Sequence, residues 1–254
     1  MTLADTAPRL SDTQIAEVLP LIEGADSVEL KLTVPAETQR PAIRALGLDP
    51  LDAQVRQVFF FDTPELALFE HGVVVRARRV QGKGDDSVVK LRPVVPDELS
   101  RKLRATPGFG VEVDAMPGGF TCSASLKGIP QVDVRQTLEA GRPLRKLFSK
   151  AQRRLYERRA PEDVALDDLT VLGPVFVLKL RFFPAELARK VVAELWLYPD
   201  DSRVLELSTK CAPSEAFDVA AQGRAYLTAH GVDLAGEQET KTRRALEQLS
   251  AAGI

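Results

Sequence analysis

Residues 27–34, SVELKLTV, alternate without a break: Val28, Leu30, Leu32 and Val34 share one face, and Ser27, Glu29, Lys31 and Thr33 share the other. A period of two predicts a strand with one side buried. The pattern returns along the chain. Residues 55–61 form an apolar run closed by Asp62-Thr63-Pro64, and 72–80 place Val73, Val75 and Ala77 opposite Arg76 and Arg78. Residues 87–94 put Lys90 and Arg92 on one face, and 111–115 do the same for Glu112 and Asp114. Between 164 and 183 two strands are expected around Gly173-Pro174; 191–198 and 203–211 then make a hairpin about Pro199-Asp200-Asp201-Ser202. The second arm of that hairpin groups Glu206, Ser208 and Lys210. Residues 152–159, with Arg154, Tyr156 and Arg158 in alternation, read as a further strand.

Helical spacing is confined to a few segments. Ser11-x-x-Gln14 resembles a capping box ahead of Ile15, Val18, Leu19 and Ile22, with residues 1–10 as a frayed tail. Residues 35–46 predict a helix stopped by Gly47, 134–148 another, and 214–230 a third stopped by Gly231. A final helix is expected over 238–249. The region from Ser214 onward is expected to brace the sheet and take no part in chemistry. Residues 96–110 read as a loop, and 116–133 give no clear pattern. The count is about eight to ten strands, too closely spaced for helical crossovers in most places, so the sheet should be mainly antiparallel. Such a sheet can lie open or close into a barrel that encloses a lumen. Alternation alone suits either form.

Adjacent antiparallel strands that present Arg76, Arg78, Lys90 and Arg92 to one surface make a poor core and a good cradle for phosphate oxygens. A solvated sheet face is the plainer explanation of the same alternation. The run FFFDTPELALFEHGVVVRARR, residues 59–79, tips the balance. It resembles the signature of the CYTH superfamily, the triphosphate tunnel proteins, which include class IV adenylyl cyclases, thiamine triphosphatases and inorganic tri- or polyphosphatases. The shared pattern is an aromatic-Phe-Asp-Thr turn, leucines, a Gly and an Arg-x-Arg strand, with Lys90 at the place of a strand lysine.

The resemblance implies an α+β fold: one domain over 1–254 with an antiparallel tunnel-like barrel and helices packed outside. In it, 1–25 hold a tail and helix, 26–211 the barrel strands with inserted helices, and 212–254 the C-terminal helices. It implies a triphosphate-bearing small molecule as ligand, held by Arg76, Arg78, Lys90, Arg92 and Arg153. It further implies Mg2+ or Mn2+ at Glu29, Asp114 and Glu206, with Lys31 and Glu112 catalytic. Glu112 can also join the metal ligands, since such cations take carboxylate oxygens. Two departures stand out. The first strand reads Ser27-x-Glu29-x-Lys31 where the superfamily has Glu-x-Glu-x-Lys. After Gly173, Val177, Lys179 and Arg181 stand where it usually carries glutamates. Glu194 or Glu206 of the next hairpin could stand in. Three readings therefore stay open: metal-dependent triphosphate hydrolysis, cyclisation of ATP, and a polyanion binder of the same fold without catalysis.

Composition narrows these only at the margins. A net charge of −2 gives no whole-chain attraction to nucleic acid or an anionic membrane, so an anion site must come from local clustering. Neither partner is expected, and homodimerisation is left open. Two cysteines, Cys122 and Cys211, are too few for a disulfide framework or a zinc site and fit a reducing, cytoplasmic setting. The N-terminus lacks the build of a secretion signal, and no apolar run is long enough to span a bilayer. His71 and His230 have no metal-ligand company and offer no serine a triad partner.

Overall fold

A computed structural model of the chain describes residues 11–234, 238 and 240–253; the expected N-terminal tail lies outside the described residues. Nine strands are present: β1 (Ser27–Val34), β2 (Gln54–Asp62), β3 (Val73–Val80), β4 (Asp86–Leu91), β5 (Phe109–Met116), β6 (Gly119–Gly128), β7 (Thr170–Phe182), β8 (Val191–Leu197) and β9 (Arg203–Cys211). They close into a barrel in the order β1-β5-β6-β4-β3-β2-β7-β8-β9, with β9 returning to β1. All pairs are antiparallel except β1 with β5, which run parallel, Glu29 lying opposite Asp114. The sheet is therefore mixed, because about eighty residues separate these two strands and allow the long return that a parallel pair needs.

The outward faces are apolar, and helices cover most of them; on β2, β7 and β8 the outward Val55, Phe176 and Leu197 stay exposed. Helix α1 (Asp12–Glu23) starts at the Ser11–Gln14 capping box and buries Val18 and Ile22 against Val28, Val111 and Val113. Helix α2 (Gln39–Ala45) and helix α7 (Ala216–Ala229) cover Leu32, Val34, Leu205 and Leu207. The short helices α3 (Ala67–Glu70), α4 (Arg101–Arg104), α5 (Val134–Glu139) and α6 (Lys150–Tyr156) pack against strands β2 to β6. Helix α8 (Lys241–Ala252) is different. Its Ala245, Leu246 and Leu249 pack with Val58, Phe60, Val74, Val177, Trp196 and Val204. Those residues alternate in phase with Arg76, Arg78, Lys179, Glu194 and Glu206, so α8 seats against the inward face and stoppers one mouth.

Several expected elements differ. Residues 152–159 are not a strand: Ser149 and Gln152 form a capping box that starts α6. Gln152 then reaches Ser87 and the Leu126 carbonyl, which ties the helix to β4 and β6. The two strands expected around Gly173-Pro174 are one long strand, β7, with a register shift against β2 between Val58 and Phe60. The helix expected over 134–148 divides into α5 and a 3-10 turn at Leu144–Leu147. The unassigned stretch 116–133 holds β6, and the loop at 96–110 holds α4.

The turn after β2 explains the Phe-Asp-Thr run. Asp62 is buried and accepts from the backbone N–H groups of Thr63, Leu68 and Phe69 at 2.8, 2.8 and 3.0 Å. It closes the β2–α3 connection and holds the first turn of α3. Gly72 then crosses at φ +70°, and a Cβ there would meet the Arg92 carbonyl at 2.0 Å, so only glycine fits the entry to β3. Unsatisfied buried donors cost about 1–3 kcal/mol each. Asp62→Ala is therefore expected to lower stability by about 3 kcal/mol in urea unfolding, and Asp62→Asn, which keeps one acceptor oxygen, to recover part of it. A loss under about 1 kcal/mol would show that the turn is held by something else.

Candidate functional site

Inward alternation brings a dense set of charges into one lumen. Strand β1 contributes Glu29 and Lys31, β5 contributes Glu112 and Asp114, and β9 contributes Glu206, Ser208 and Lys210. Strands β3 and β4 contribute Arg76, Arg78, Asp86 and Lys90; β7 and β8 add Lys179 and Glu194. Most of the carboxylates carry an ammonium partner. Lys31 Nζ lies 2.8 Å from Asp114 Oδ1 and 3.2 Å from Glu29, and Lys90 Nζ lies 3.0 Å from Asp114 Oδ2. Lys210 pairs with Glu112, which also accepts from Ser27 Oγ at 3.3 Å. Ser208 Oγ donates to Glu29 at 3.3 Å.

These pairs set the protonation of the site. Burial alone would raise the Asp114 carboxyl; Lys31 and Lys90 outweigh it and hold the group well below the usual carboxylate range. Burial works against Lys31 as well, but Asp114, Glu29 and Glu206 keep its ammonium above the ordinary lysine range. Lys90 has fewer carboxylates near it, and burial, with Lys31 close by, brings it down to about 8. The Glu29 carboxyl, which burial would raise, is lowered by Lys31.

The opposite wall is short of anions. Arg78 is held by Asp86 in a two-pronged pair, both contacts at 2.8 Å. Arg76, its neighbour on the same face, has a buried Nε with no hydrogen-bond partner, and burial and then Arg78 push it down to about 9. Arg56 of β2 is buried on the adjoining strand; it donates to Gln54 at 2.9 Å, but its Nε also has no partner. Arg92 lies past the end of β4, where its guanidinium stacks on Phe69 and its Nη2 is unpartnered. The guanidinium groups of Arg56, Arg76 and Arg92 stay charged at neutral pH. Buried cationic donors without acceptors form a surface made for an anion.

The oxygens of Glu29, Glu112 and Asp114 lie within 4.8 Å of one another, the one such carboxylate, His or Cys grouping among the described residues. Hard oxygen donors at this separation suit Mg2+ or Mn2+, though any ion must compete with Lys31, Lys90 and Lys210 for the same oxygens. Glu206 is not part of this set. It faces Glu194 across β8–β9, and Lys241 bridges the two. Arg153 is not in the lumen at all: it sits on α6, on the outside, and donates to the Arg145 carbonyl at 3.3 Å. The remaining sequence candidates, Glu29, Lys31, Arg76, Arg78, Lys90, Glu112 and Asp114, share the lumen, with Arg92 at its rim.

Sequence reasoning passed over Arg56, Asp86 and Lys241. Arg56 was findable, because it alternates in phase with Val58 and Phe60 on the strand next to Arg-x-Arg. Asp86 was findable as the residue opposite Arg78 once the β3–β4 hairpin is drawn. Lys241 was not, since a lysine in the polar start of a helix looks like any solvated one. Its place in the lumen gives α8 a charged contact inside the barrel beside the bracing expected of the region from Ser214 onward.

No family model matches the chain, and no curated protein matches it. Solved structures do. A candidate adenylate cyclase from Bacillus halodurans superposes with a TM-score of 0.58 at 12% identity, over 87% of this chain and 97% of that one. A candidate adenylyl cyclase from Hippeastrum, described as having a dominant triphosphatase activity, gives 0.56 at 18% identity, over 87% of this chain and 98% of that one. The fold is CYTH-like: a closed nine-strand barrel with helices around it. No helix among the described residues is long and apolar enough to cross a membrane.

Proposed function

We propose that the lumen binds a triphosphate-bearing anion and hydrolyses a phosphoanhydride bond in it with the help of Mg2+ or Mn2+. The observation that carries this reading is the pair of arginines, Arg56 and Arg76, whose buried Nε atoms have no hydrogen-bond partner, on the wall that faces the carboxylate set. In this reading Arg56, Arg76 and, at the rim, Arg92 hold phosphate oxygens, and Lys90 reaches the same oxygens from β4 with the protons it does not give to Asp114. Lys31 is held by Glu29 and Asp114 within the acidic wall. It can neutralise charge that builds on the attacked phosphate. Glu29, Glu112 and Asp114 would hold the divalent cation, which supplies charge neutralisation and a water of lowered pKa. Lys210 must release Glu112 for that set to act. The CYTH-like fold supports the reading, as does the triphosphatase activity described for the Hippeastrum structure.

A second reading is a polyanion binder without turnover. It is favoured by the lysines that already occupy both oxygens of Asp114 and an oxygen of Glu112. Phosphate release from inorganic triphosphate, measured with and without Mg2+ and Mn2+, separates the two. Release that needs the metal is the expected result. Binding that persists while release stays at the uncatalysed rate would make the protein a binder.

A further inference from the structure

A second carboxylate pair lies apart from Glu29, Glu112 and Asp114. Glu194 of β8 and Glu206 of β9 are directly opposed, point inward, and are 8% and 3% exposed. Two buried carboxylates face to face repel and lose hydration, so they stay ionised only with a cation between them. The chain supplies that cation itself. Lys241 Nζ contacts Glu194 Oε2 and lies 2.6 Å from Glu206 Oε1. The other Glu194 oxygen is taken by Lys179 at 2.6 Å. Burial would raise the Glu194 carboxyl and lower the Lys241 ammonium; each is outweighed by the other, so that both remain charged.

The position of Lys241 is built, not incidental. It is the first residue of α8, the helix that stoppers the barrel mouth with Ala245, Leu246 and Leu249. Its carbonyl accepts from Tyr198 Oη at 3.1 Å, and its ammonium lies 5.4 Å from the centre of the Trp196 ring. A side chain anchored this way competes with free ions at a high effective concentration.

We propose that Lys241 is the resident cation of the Glu194–Glu206 pair and keeps divalent cations out of it, which limits the lumen to a single metal position. The proposal does not depend on which anion the tunnel binds, or on turnover. The test is a Mn2+ titration of the full chain followed by electron paramagnetic resonance, which counts bound ions directly. Lys241→Met is expected to bind one Mn2+ more than the wild type, and adding Glu194→Gln should abolish the gain. Lys241→Arg, which keeps the charge, should bind as the wild type does. A folded Lys241→Met protein with unchanged stoichiometry would overturn the proposal. So would a wild-type Mn2+ site that Glu194→Gln removes, a result that needs no lysine variant to fold. If the Glu29, Glu112 and Asp114 set takes no metal, the wild-type count falls to zero, while the gain in Lys241→Met remains. Failure of the catalytic reading is thus distinguishable from failure of this one.

Discussion

Replacing Arg56 and Arg76 together by methionine is expected to weaken binding of inorganic triphosphate by about two to four decades. Hydrogen bonds to charged groups are worth about 1.5–3 kcal/mol each, and about 1.4 kcal/mol is one decade in affinity. Two such groups that act on one anion give the range, if their contributions add. Methionine keeps the apolar stem of arginine, so the barrel wall is not hollowed out. A second outcome should accompany the first. Both arginines have a buried Nε without a partner, and burial lowers each from the ordinary arginine range. Removing them relieves a cost that the empty protein bears, so thermal stability should rise as affinity falls. A double variant that lost affinity and stability together would point to a collapsed barrel rather than a lost anion contact. Arg78→Met should act differently. It strands Asp86, whose two oxygens Arg78 now holds at 2.8 Å, and so should lower stability without a comparable loss of binding.

The second large effect is expected at Asp114. It pins Lys31 and Lys90 from two strands that are not neighbours of each other, and it is 8% exposed. Asp114→Asn leaves two ammonium groups in the lumen without their main counter-charge. Breaking a buried pair from one side costs about 3–5 kcal/mol, and urea unfolding at pH 7 should show a loss of that size. The sign of the pH dependence follows. Because Lys31 and Lys90 hold the folded-state carboxyl below its unfolded value, the contribution of Asp114 is present above about pH 4. It fades as the pH falls through the lower, folded value. The wild type should therefore lose stability on acidification more steeply than Asp114→Asn. Parallel acid limbs for the two proteins would mean that Asp114 carries little of the balance. The same variant should lose Mn2+ from the Glu29, Glu112 and Asp114 set.

The strands were largely legible in the sequence where one face is apolar and the other charged, while closure of the sheet into a barrel was carried only by the resemblance. In β1 and β3, slipping the register by one residue would exchange the faces, so Val28 against Glu29, or Val75 against Arg76, fixes which side is inside. The segment 59–79 was legible for another reason: Asp62 and Gly72 each meet a backbone demand that few other residues satisfy. Where local pattern misled, tertiary contacts decided. Arg154, Tyr156 and Arg158 alternate by chance on α6, and the Ser149–Gln152 cap was the better guide. Gly173 and Pro174, usual strand breakers, are absorbed by the irregular β2–β7 pairing. The parallel β1–β5 pair joins distant segments and leaves no local mark.

The candidate site was legible by charge but not by partnership. Alternation put Glu29, Lys31, Arg76, Arg78, Lys90, Glu112 and Asp114 on the charged faces of their strands, and the resemblance supplied the closed barrel that brings those faces into one lumen. It could not say that Arg78 is spent on Asp86 while the Nε donors of Arg76 and Arg56 are left without acceptors, because that depends on which strand closes beside which. Arg153 was misplaced with the helix that carries it. The missing glutamates after Gly173 also take on a physical sense. Lys179 stands there instead, and it pairs with Glu194, whose other oxygen goes to Lys241. This side of the barrel supplies its cations from the chain.

In the proposed reading the lumen is a polyanion site, and the Nε groups of Arg56 and Arg76 are its free donors. Isothermal titration of the full chain with inorganic triphosphate, alongside orthophosphate and sulfate, tests it most directly. Triphosphate is expected to bind in roughly the micromolar range, about a hundredfold or more tighter than orthophosphate, because only the longer anion spans several charge-assisted contacts at once. This preference is expected to disappear when Arg56 and Arg76 are both methionine. Equal, weak affinity for all three anions, or a triphosphate affinity that survives the double substitution, would contradict that reading.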